Sequence, residues 1–174
     1  YRKKDRDLSI LSSDKTMCEL HKFRLELARM CKREKLADTY GRFDGGAYVE
    51  NVDETLDPYR FSLIIENDVS DYYFSERLTS CFAAQTIPVY LGARRITEFF
   101  NEDGVIALQS PDLEEAKRKI RECTRETYEA RLPAVLDNYN RVQEYVNMQD
   151  YLYEHYLGGH SVGIRNGMTV WPDR

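Results

Sequence analysis

Residues 58–92 read PYRFSLIIENDVSDYYFSERLTSCFAAQTIPVYLG, and this stretch decides the fold of the chain. Four of the five residues from 61 to 65 are apolar, which is typical of a strand buried on both faces of a parallel sheet. A polar loop begins at residues 66–68, residues 75–84 have the pattern of a helix, and residues 87–91 are again apolar. The stretch therefore predicts a buried strand, a helix and a second buried strand in succession.

The rest of the chain continues this alternation of short apolar runs with helical stretches. Further strands are predicted at residues 8–11, 39–42 and 104–108, and further helices at residues 17–35, 96–100, 112–121 and 134–156. Ser13 or Asp14 is expected to cap the first helix, because small polar side chains favour that position. The predicted fold class is α/β, with a mainly parallel sheet flanked by helices.

The chain has 174 residues and a mass of 20.5 kDa, which is the size of a single domain. Hydrophobic residues make up 42% of it and charged residues 32%. These values exclude a disordered chain, a membrane protein and a disulfide scaffold. We expect residues 1–157 to form the domain and residues 158–174, which lack any helical or strand period, to form a C-terminal tail.

The metal-binding and redox residue types are sparse. The four cysteines form no CxxC pair and the three histidines are scattered, so we expect no structural metal, no disulfide and reduced, buried thiols. His21, His155 and His160 are expected at the surface or at helix ends. Reduced thiols point to a cytosolic compartment.

The net charge of −5 is unevenly spread along the chain. Residues 1–35 carry eleven Lys and Arg against six Asp and Glu, whereas the remaining residues are strongly acidic. This balance excludes nucleic acid as a general partner. It allows an anionic ligand close to the N-terminal third of the chain.

Ligands of open parallel sheets bind at the carboxyl ends of the strands, where this chain has polar residues at 12–14 and 66–68. The nearby helix starts with Glu76 and Arg77. A helix N-terminus attracts anions, Arg77 adds a full positive charge, and Glu76 can accept hydrogen bonds from a vicinal diol such as ribose. The aromatic residues 72–74 could stack on a base or cover a sugar. This combination suits a nucleoside diphosphate. The alternative is an ordinary first-turn acid beside a solvated arginine.

The same stretch resembles the donor-binding motif of the α-1,3/4-fucosyltransferases, glycosyltransferase family 10. That motif reads approximately F-x-L-x-F-E-N-S, then Y-V-T-E-K-L, then A-G-T-V-P-V-Y-x-G. The matching stretches here are FSLIIEND (61–68), YFSERL (73–78) and AQTIPVYLG (84–92). Asp68 replaces the motif's Ser, Arg77 its Lys and Gln85 its Gly. A looser resemblance extends over residues 8–150.

The resemblance implies a Rossmann-like domain equivalent to the C-terminal half of a GT-B glycosyltransferase, which binds GDP-fucose for inverting transfer of fucose to a glycan hydroxyl. It implies that Glu76 holds the ribose diol, that Arg77 and Tyr73 contact the pyrophosphate, and that Asn67 lies against the donor. Arg24 matches the family's arginine after the first strand, with Lys22 as the alternative. Ser13, at the end of that strand, completes the expected set.

Two cations would offset the charge of the leaving diphosphate, so we expect no divalent metal and no cofactor besides the donor substrate. Inversion requires a general base. By resemblance this base and the glycan acceptor site belong to an N-terminal half, which would precede Tyr1 or lie on a partner subunit. Glu66 is expected to have a structural or hydrogen-bonding role.

Two other functions are compatible with this sequence. One is a non-catalytic module that binds a nucleotide sugar, and the other is an α/β interaction domain. No apolar run in the sequence is long enough to span a membrane. We therefore expect a cytoplasmic protein if the source is bacterial or viral, and a protein of the Golgi lumen if it is eukaryotic.

Overall fold

The structure is a computed structural model that describes residues 3–146 of the chain. The strands are β1 (Arg6–Leu11), β2 (Asp38–Tyr40), β3 (Tyr59–Ile65), β4 (Ile87–Leu91) and β5 (Ile106–Ala107). The α-helices are α1 (Glu19–Glu34), α2 (Glu76–Ala83), α3 (Leu113–Ile120), α4 (Arg125–Ala130) and α5 (Leu132–Val146). Short 3-10 helices lie at Val52–Thr55, Ile96–Glu98 and Glu102–Gly104.

The strands form one sheet in the order β2-β1-β3-β4-β5, and every neighbouring pair is parallel. The α/β prediction is therefore confirmed. β3 is the central strand, with Leu63 opposite Ile10 on β1 and Val89 on β4. Because the chain leaves β1 toward β2 on one side and returns to β3 on the other, the sheet has a switch point between β1 and β3, where a crevice opens.

The sheet is covered on both faces, which explains why β3 is mostly apolar. Phe61, Leu63 and Ile65 pack into the larger core, which includes residues of α1 and α3. Ile64 points to the opposite face and packs with residues of α2 and α5. Side chains alternate along a strand, so a central strand with helices on both sides needs apolar residues at successive positions.

Several boundaries differ from those predicted from the sequence. α1 is capped by Cys18 and not by Ser13 or Asp14. Residues 12–17 instead form a loop, in which the N–H groups of Ser12 and Asp14 donate to carbonyls of Tyr40 and Arg42. The loop is thereby tied to the chain that follows β2.

The region after β4 is less regular than the sequence suggested. The short helix at 96–100 is a 3-10 turn, the strand at 104–108 shrinks to two residues, and α4 was not predicted. Thr124 caps α4 by accepting from Thr127 N–H. Residues 147–156 of the last predicted helix, with His155, and the tail at 158–174, with His160, lie outside the described residues.

All four cysteines are free thiols, and three of them are buried. Burial raises the pKa of Cys31 and Cys123 to about 12, so both stay protonated at neutral pH. None of the helices within residues 3–146 combines the length and apolar composition that spanning a bilayer would require. In the same residues no group of three or more His, Cys, Asp or Glu side chains could hold a metal ion.

The left-handed backbone at Lys35, which ends α1, can be tested by substitution. Lys35 is exposed and has φ of 55°, in the left-handed region that glycine favours. We expect Lys35→Gly to raise the free energy of unfolding by roughly 0.5–1 kcal/mol. The matched control, Glu26→Gly at an exposed interior position of the same helix, should lower it by about 1 kcal/mol. Urea denaturation measures both, and two changes of the same sign would contradict the structure.

Candidate functional site

A cleft of about 460 Å³ opens at the carboxyl ends of the strands, next to the switch point between β1 and β3. The loop after β1 forms one wall with residues 11–15, and the loop after β2 contributes Gly41, Arg42, Tyr48 and Val49. Arg24 of α1 and Arg77 of α2 complete the lining toward β3. The volume is in the range of small-ligand sites.

The cleft is strongly cationic. Lys15, Arg24, Arg42 and Arg77 line it, and Asp14 is the carboxylate among the lining residues. The chain as a whole has a net charge of −5, so this concentration of positive charge is local. A concave site with an excess of cations attracts anions and favours their binding over that of neutral molecules.

Arg24 and Arg77 are the two cations that the fold places on the β3 side. Arg24 is only 5% exposed, and its Nη1 donates to Ile65 O at 3.0 Å and to Asn67 Oδ1 at 3.3 Å. Burial lowers the pKa of Arg24, and repulsion by the Arg77 guanidinium lowers it further. Within residues 3–146 the Arg77 side chain makes no hydrogen bond and no ion pair. An anion between them would relieve this repulsion.

The loop after β2 comes close to the loop after β1 because residue 41 is glycine. Gly41 has φ of 100°, and a Cβ atom there would lie 2.0 Å from Ser12 O. The next residue, Arg42, stacks on the Tyr48 ring with its guanidinium carbon 4.9 Å from the ring centroid. The sequence analysis missed Lys15, Arg42 and Tyr48. The one available signal was the glycine beside a cation at the end of the strand predicted at residues 39–42.

Glu66 fixes the beginning of α2 against the end of β3. It is fully buried, and its Oε1 accepts from Ser75 N–H at 2.9 Å and from the Tyr90 hydroxyl at 3.4 Å. Burial raises the pKa of Tyr90, so its hydroxyl remains a donor. Gly92 allows this arrangement, since a Cβ there would lie 2.4 Å from Glu66 Cγ. The structure thus gives Glu66 a hydrogen-bonding role, and the position of Arg77 depends on it.

The predicted site residues fall into two groups. Ser13, Arg24 and Arg77 line the cleft, and Asn67 contacts Arg24. Lys22, Tyr73 and Glu76 are exposed and do not line it. Lys22 pairs instead with Glu19 at 2.7 Å, on the face of α1 that is turned away from the core.

The expectation that residues 72–74 could cover a base or sugar is wrong for Phe74, and it stays a prediction for Tyr72 and Tyr73, which are both exposed. Phe74 packs edge-on against Phe99 and Phe100 in the core beneath α2 and α5. Tyr72 contacts the ring of Phe99 and accepts a hydrogen bond from Arg95. Tyr73 remains 55% exposed. His21, expected at the surface, is buried in the structure.

The parallel sheet, its switch point and the cationic cleft define a Rossmann-like domain of the kind found in GT-B glycosyltransferases. Residues 2–126 match the C-terminal model of glycosyltransferase family 10 (fucosyltransferase). The chain therefore belongs to glycosyltransferase family 10.

Solved structures give the same fold. The chain is similar to an α1,3-fucosyltransferase with GDP (21% identity, TM-score 0.58) and to an α1,3-fucosyltransferase with GDP-fucose (21%, 0.57). A further α1,3-fucosyltransferase structure matches at 20% identity and a TM-score of 0.55. The matches cover 74% of this chain but only 38%, 38% and 37% of those chains. The chain thus spans less than half the length of these relatives.

One departure from the family motif has a clear structural setting. Gln85 stands where the motif has glycine, and it has φ of 58°, in the left-handed region. The Tyr128 hydroxyl donates to Gln85 O at 2.7 Å and holds this turn after α2. Gln85 therefore adopts the left-handed backbone conformation that glycine favours, although it is not glycine.

The anion-binding character of the cleft can be tested without a nucleotide. At about ten times its Kd, inorganic pyrophosphate should stabilise the fold by about 1.4 kcal/mol, which corresponds to a rise in Tm of roughly 3–6 °C. Arg77→Ala should lose most of this rise. Arg118→Ala, which removes an exposed arginine of α3, should keep it. An equal rise with sodium chloride at matched ionic strength would contradict a specific site.

Proposed function

We propose that this chain is the donor-binding domain of a fucosyltransferase and binds GDP-fucose through its diphosphate. The observation that carries the proposal is the pair formed by Arg24 and Arg77, which face one cleft and repel each other, with no carboxylate of residues 3–146 bonded to either. Arg24 is not an ordinary solvated arginine of the surface, because this residue is only 5% exposed. Burial and repulsion by Arg77 outweigh the attraction that Glu66 exerts on Arg24, and the negative charge of a ligand would offset this cost.

The remaining donor-binding roles follow from the family. Asn67 lies beside Arg24 and is proposed to contact the donor. Glu76, the first residue of α2, is proposed to accept hydrogen bonds from the ribose diol, and Tyr73 to contact the pyrophosphate. Ser13 and Lys15 extend the phosphate-binding surface along the loop after β1.

In the proposed reaction an acceptor hydroxyl attacks the anomeric carbon of fucose, and GDP leaves with inversion at that carbon. The chain's part is to stabilise the negative charge that develops on the leaving diphosphate. The cations of the cleft supply that stabilisation, so we expect GDP to bind equally well in EDTA and in magnesium. The proton of the acceptor hydroxyl passes to a general base that this domain is not proposed to supply.

The test of this function removes the Arg77 guanidinium. We expect Arg77→Ala to weaken GDP binding by about 2–4 kcal/mol, because charge-assisted pairs in a partly buried site are strong. This corresponds to a rise in Kd of roughly 30- to 1000-fold. Binding of GMP should fall much less, and binding of guanosine should hardly change. Arg77→Lys should be intermediate, since the charge remains but the forked geometry is lost.

Isothermal titration of the full chain with the three ligands measures these differences. Arg118→Ala is the matched control and should bind GDP as the wild type does. Equal losses for GDP and guanosine would place Arg77 at the base or in the fold, and would overturn the assignment of the diphosphate site. Absence of saturable GDP binding to the wild type would overturn the proposed function.

A second function is binding of the nucleotide sugar without transfer, which the cationic lining of the cleft supports equally, since its arginines bind an anion in either case. The two functions differ in turnover. Incubation of the chain with GDP-fucose and a panel of glycans should release GDP in proportion to fucosylated product if the chain transfers fucose. Tight GDP-fucose binding without release of GDP would leave the binding module as the function.

A further inference from the structure

Asn67, at the end of β3, is held by three residues of one face of α1. The thiol of Cys18 donates to its backbone carbonyl, with the sulfur 3.2 Å from the oxygen. His21 Nε2 lies 2.9 Å from Asn67 Oδ1, and Arg24 Nη1 lies 3.3 Å from the same oxygen. Residues spaced by three positions lie on one side of a helix, so a single face of α1 makes all three contacts.

These contacts fix the orientation of the Asn67 carboxamide. Arginine can only donate hydrogen bonds, so the side-chain atom of Asn67 that faces Arg24 is the oxygen. The same oxygen accepts a hydrogen bond from His21, so the Nε2 atom of His21 carries a proton. The carboxamide nitrogen is then left at the exposed end of β3 with two N–H groups, and neither is bonded within residues 3–146. Asn67 is thereby oriented as a donor beside the cationic cleft.

The other ring nitrogen of His21 does not contribute a hydrogen bond to the fold within residues 3–146. Its Nδ1 is buried and has no hydrogen-bond partner in the described part of the chain, although the residue is only 9% exposed. An unpartnered buried polar atom lowers stability, so an apolar side chain would suit the fold better at this position. A residue that costs stability and orients a neighbour at a ligand cleft has the properties of a functional residue.

We propose that His21 is a positioning residue of the donor site. It holds the carboxamide oxygen of Asn67 against α1, so that the carboxamide nitrogen donates hydrogen bonds to an oxygen of the bound nucleotide sugar. The proposal rests on the proposed function, because it assigns His21 a part in binding the same ligand. His21 acts through Asn67 and does not itself contact the ligand.

The first test compares stability with affinity in the full 174-residue chain. His21→Phe removes the hydrogen bond to Asn67 together with the unpartnered nitrogen, so the Tm should stay unchanged or rise. The Kd for GDP should rise roughly 3- to 10-fold, the range expected for loss of one hydrogen bond. His21→Gln, whose amide nitrogen can replace Nε2, should keep the wild-type affinity. Glu26→Ala, at an exposed position of α1, is the control for changes in the helix.

A double-mutant cycle tests whether His21 acts through Asn67. Asn67→Ala should weaken GDP binding, and adding His21→Phe to it should weaken binding no further, because the carboxamide is already gone. Additive losses would overturn the proposal, as would wild-type affinity in His21→Phe. A fall in Tm with unchanged affinity would give His21 a purely structural role.

A spectroscopic readout makes the test independent of GDP. Long-range ¹H–¹⁵N spectra should show His21 as the tautomer with a proton on Nε2, identified by the signals missing in His21→Phe. An Nε2 atom without a proton would overturn the proposal whether or not the chain binds GDP. If that tautomer is observed but the wild type does not bind GDP, the proposed function fails and the positioning role fails with it. If GDP binds and His21→Phe binds it equally well, only the positioning role fails.

Discussion

The end of β3 controls the geometry of the whole site, because two successive residues there hold the two helices that carry its arginines. The buried carboxylate of Glu66 accepts a hydrogen bond from the backbone N–H of Ser75, the residue that caps α2. Asn67 points to the opposite face and is bonded to α1. Alternation of side chains along an extended chain sends the two contacts to opposite faces of the sheet. Arg77 on α2 and Arg24 on α1 consequently converge on one cleft.

The resulting electrostatics explain why the site favours an anion. Arg24 is buried and its pKa is lowered by burial and by Arg77, so the fold holds two like charges close together. Packing around α1 and the hydrogen bonds to Ile65 and Asn67 provide the stability that keeps Arg24 in place. A diphosphate would convert this repulsion into two attractive contacts. Binding therefore gains from strain that is already present in the free domain.

The sequence predicted the central part of the fold well. β4 has the predicted bounds, and β3 and α2 differ by one or two residues, because strong apolar runs and a serine cap mark these elements. The sequence was less informative where tertiary contacts decide which secondary structure forms. The two 3-10 turns after β4 pack against α5, where Ile96 shares a core with Val142 and Gly104 lies against Asn138, and such short pieces carry no period of their own.

The site was predictable only where a motif or a charged helix start marked it. Arg24 and Lys22 could not be separated by alignment, although they lie on opposite sides of α1 and only Arg24 points inward. Arg42 and Tyr48 reach the cleft through a loop whose path depends on Gly41, which no local pattern reveals. Phe74 was placed wrongly because a hydrophobic residue near a site more often belongs to the core.

The most direct test is a crystal structure of the chain with GDP. We expect the diphosphate between the guanidinium groups of Arg24 and Arg77, with phosphate oxygens within hydrogen-bond distance of both. The ribose hydroxyls should lie toward the amino end of α2, near Glu76. Ordered GDP at this edge of the sheet with its phosphates away from both arginines, or bound elsewhere on the domain, would contradict the account.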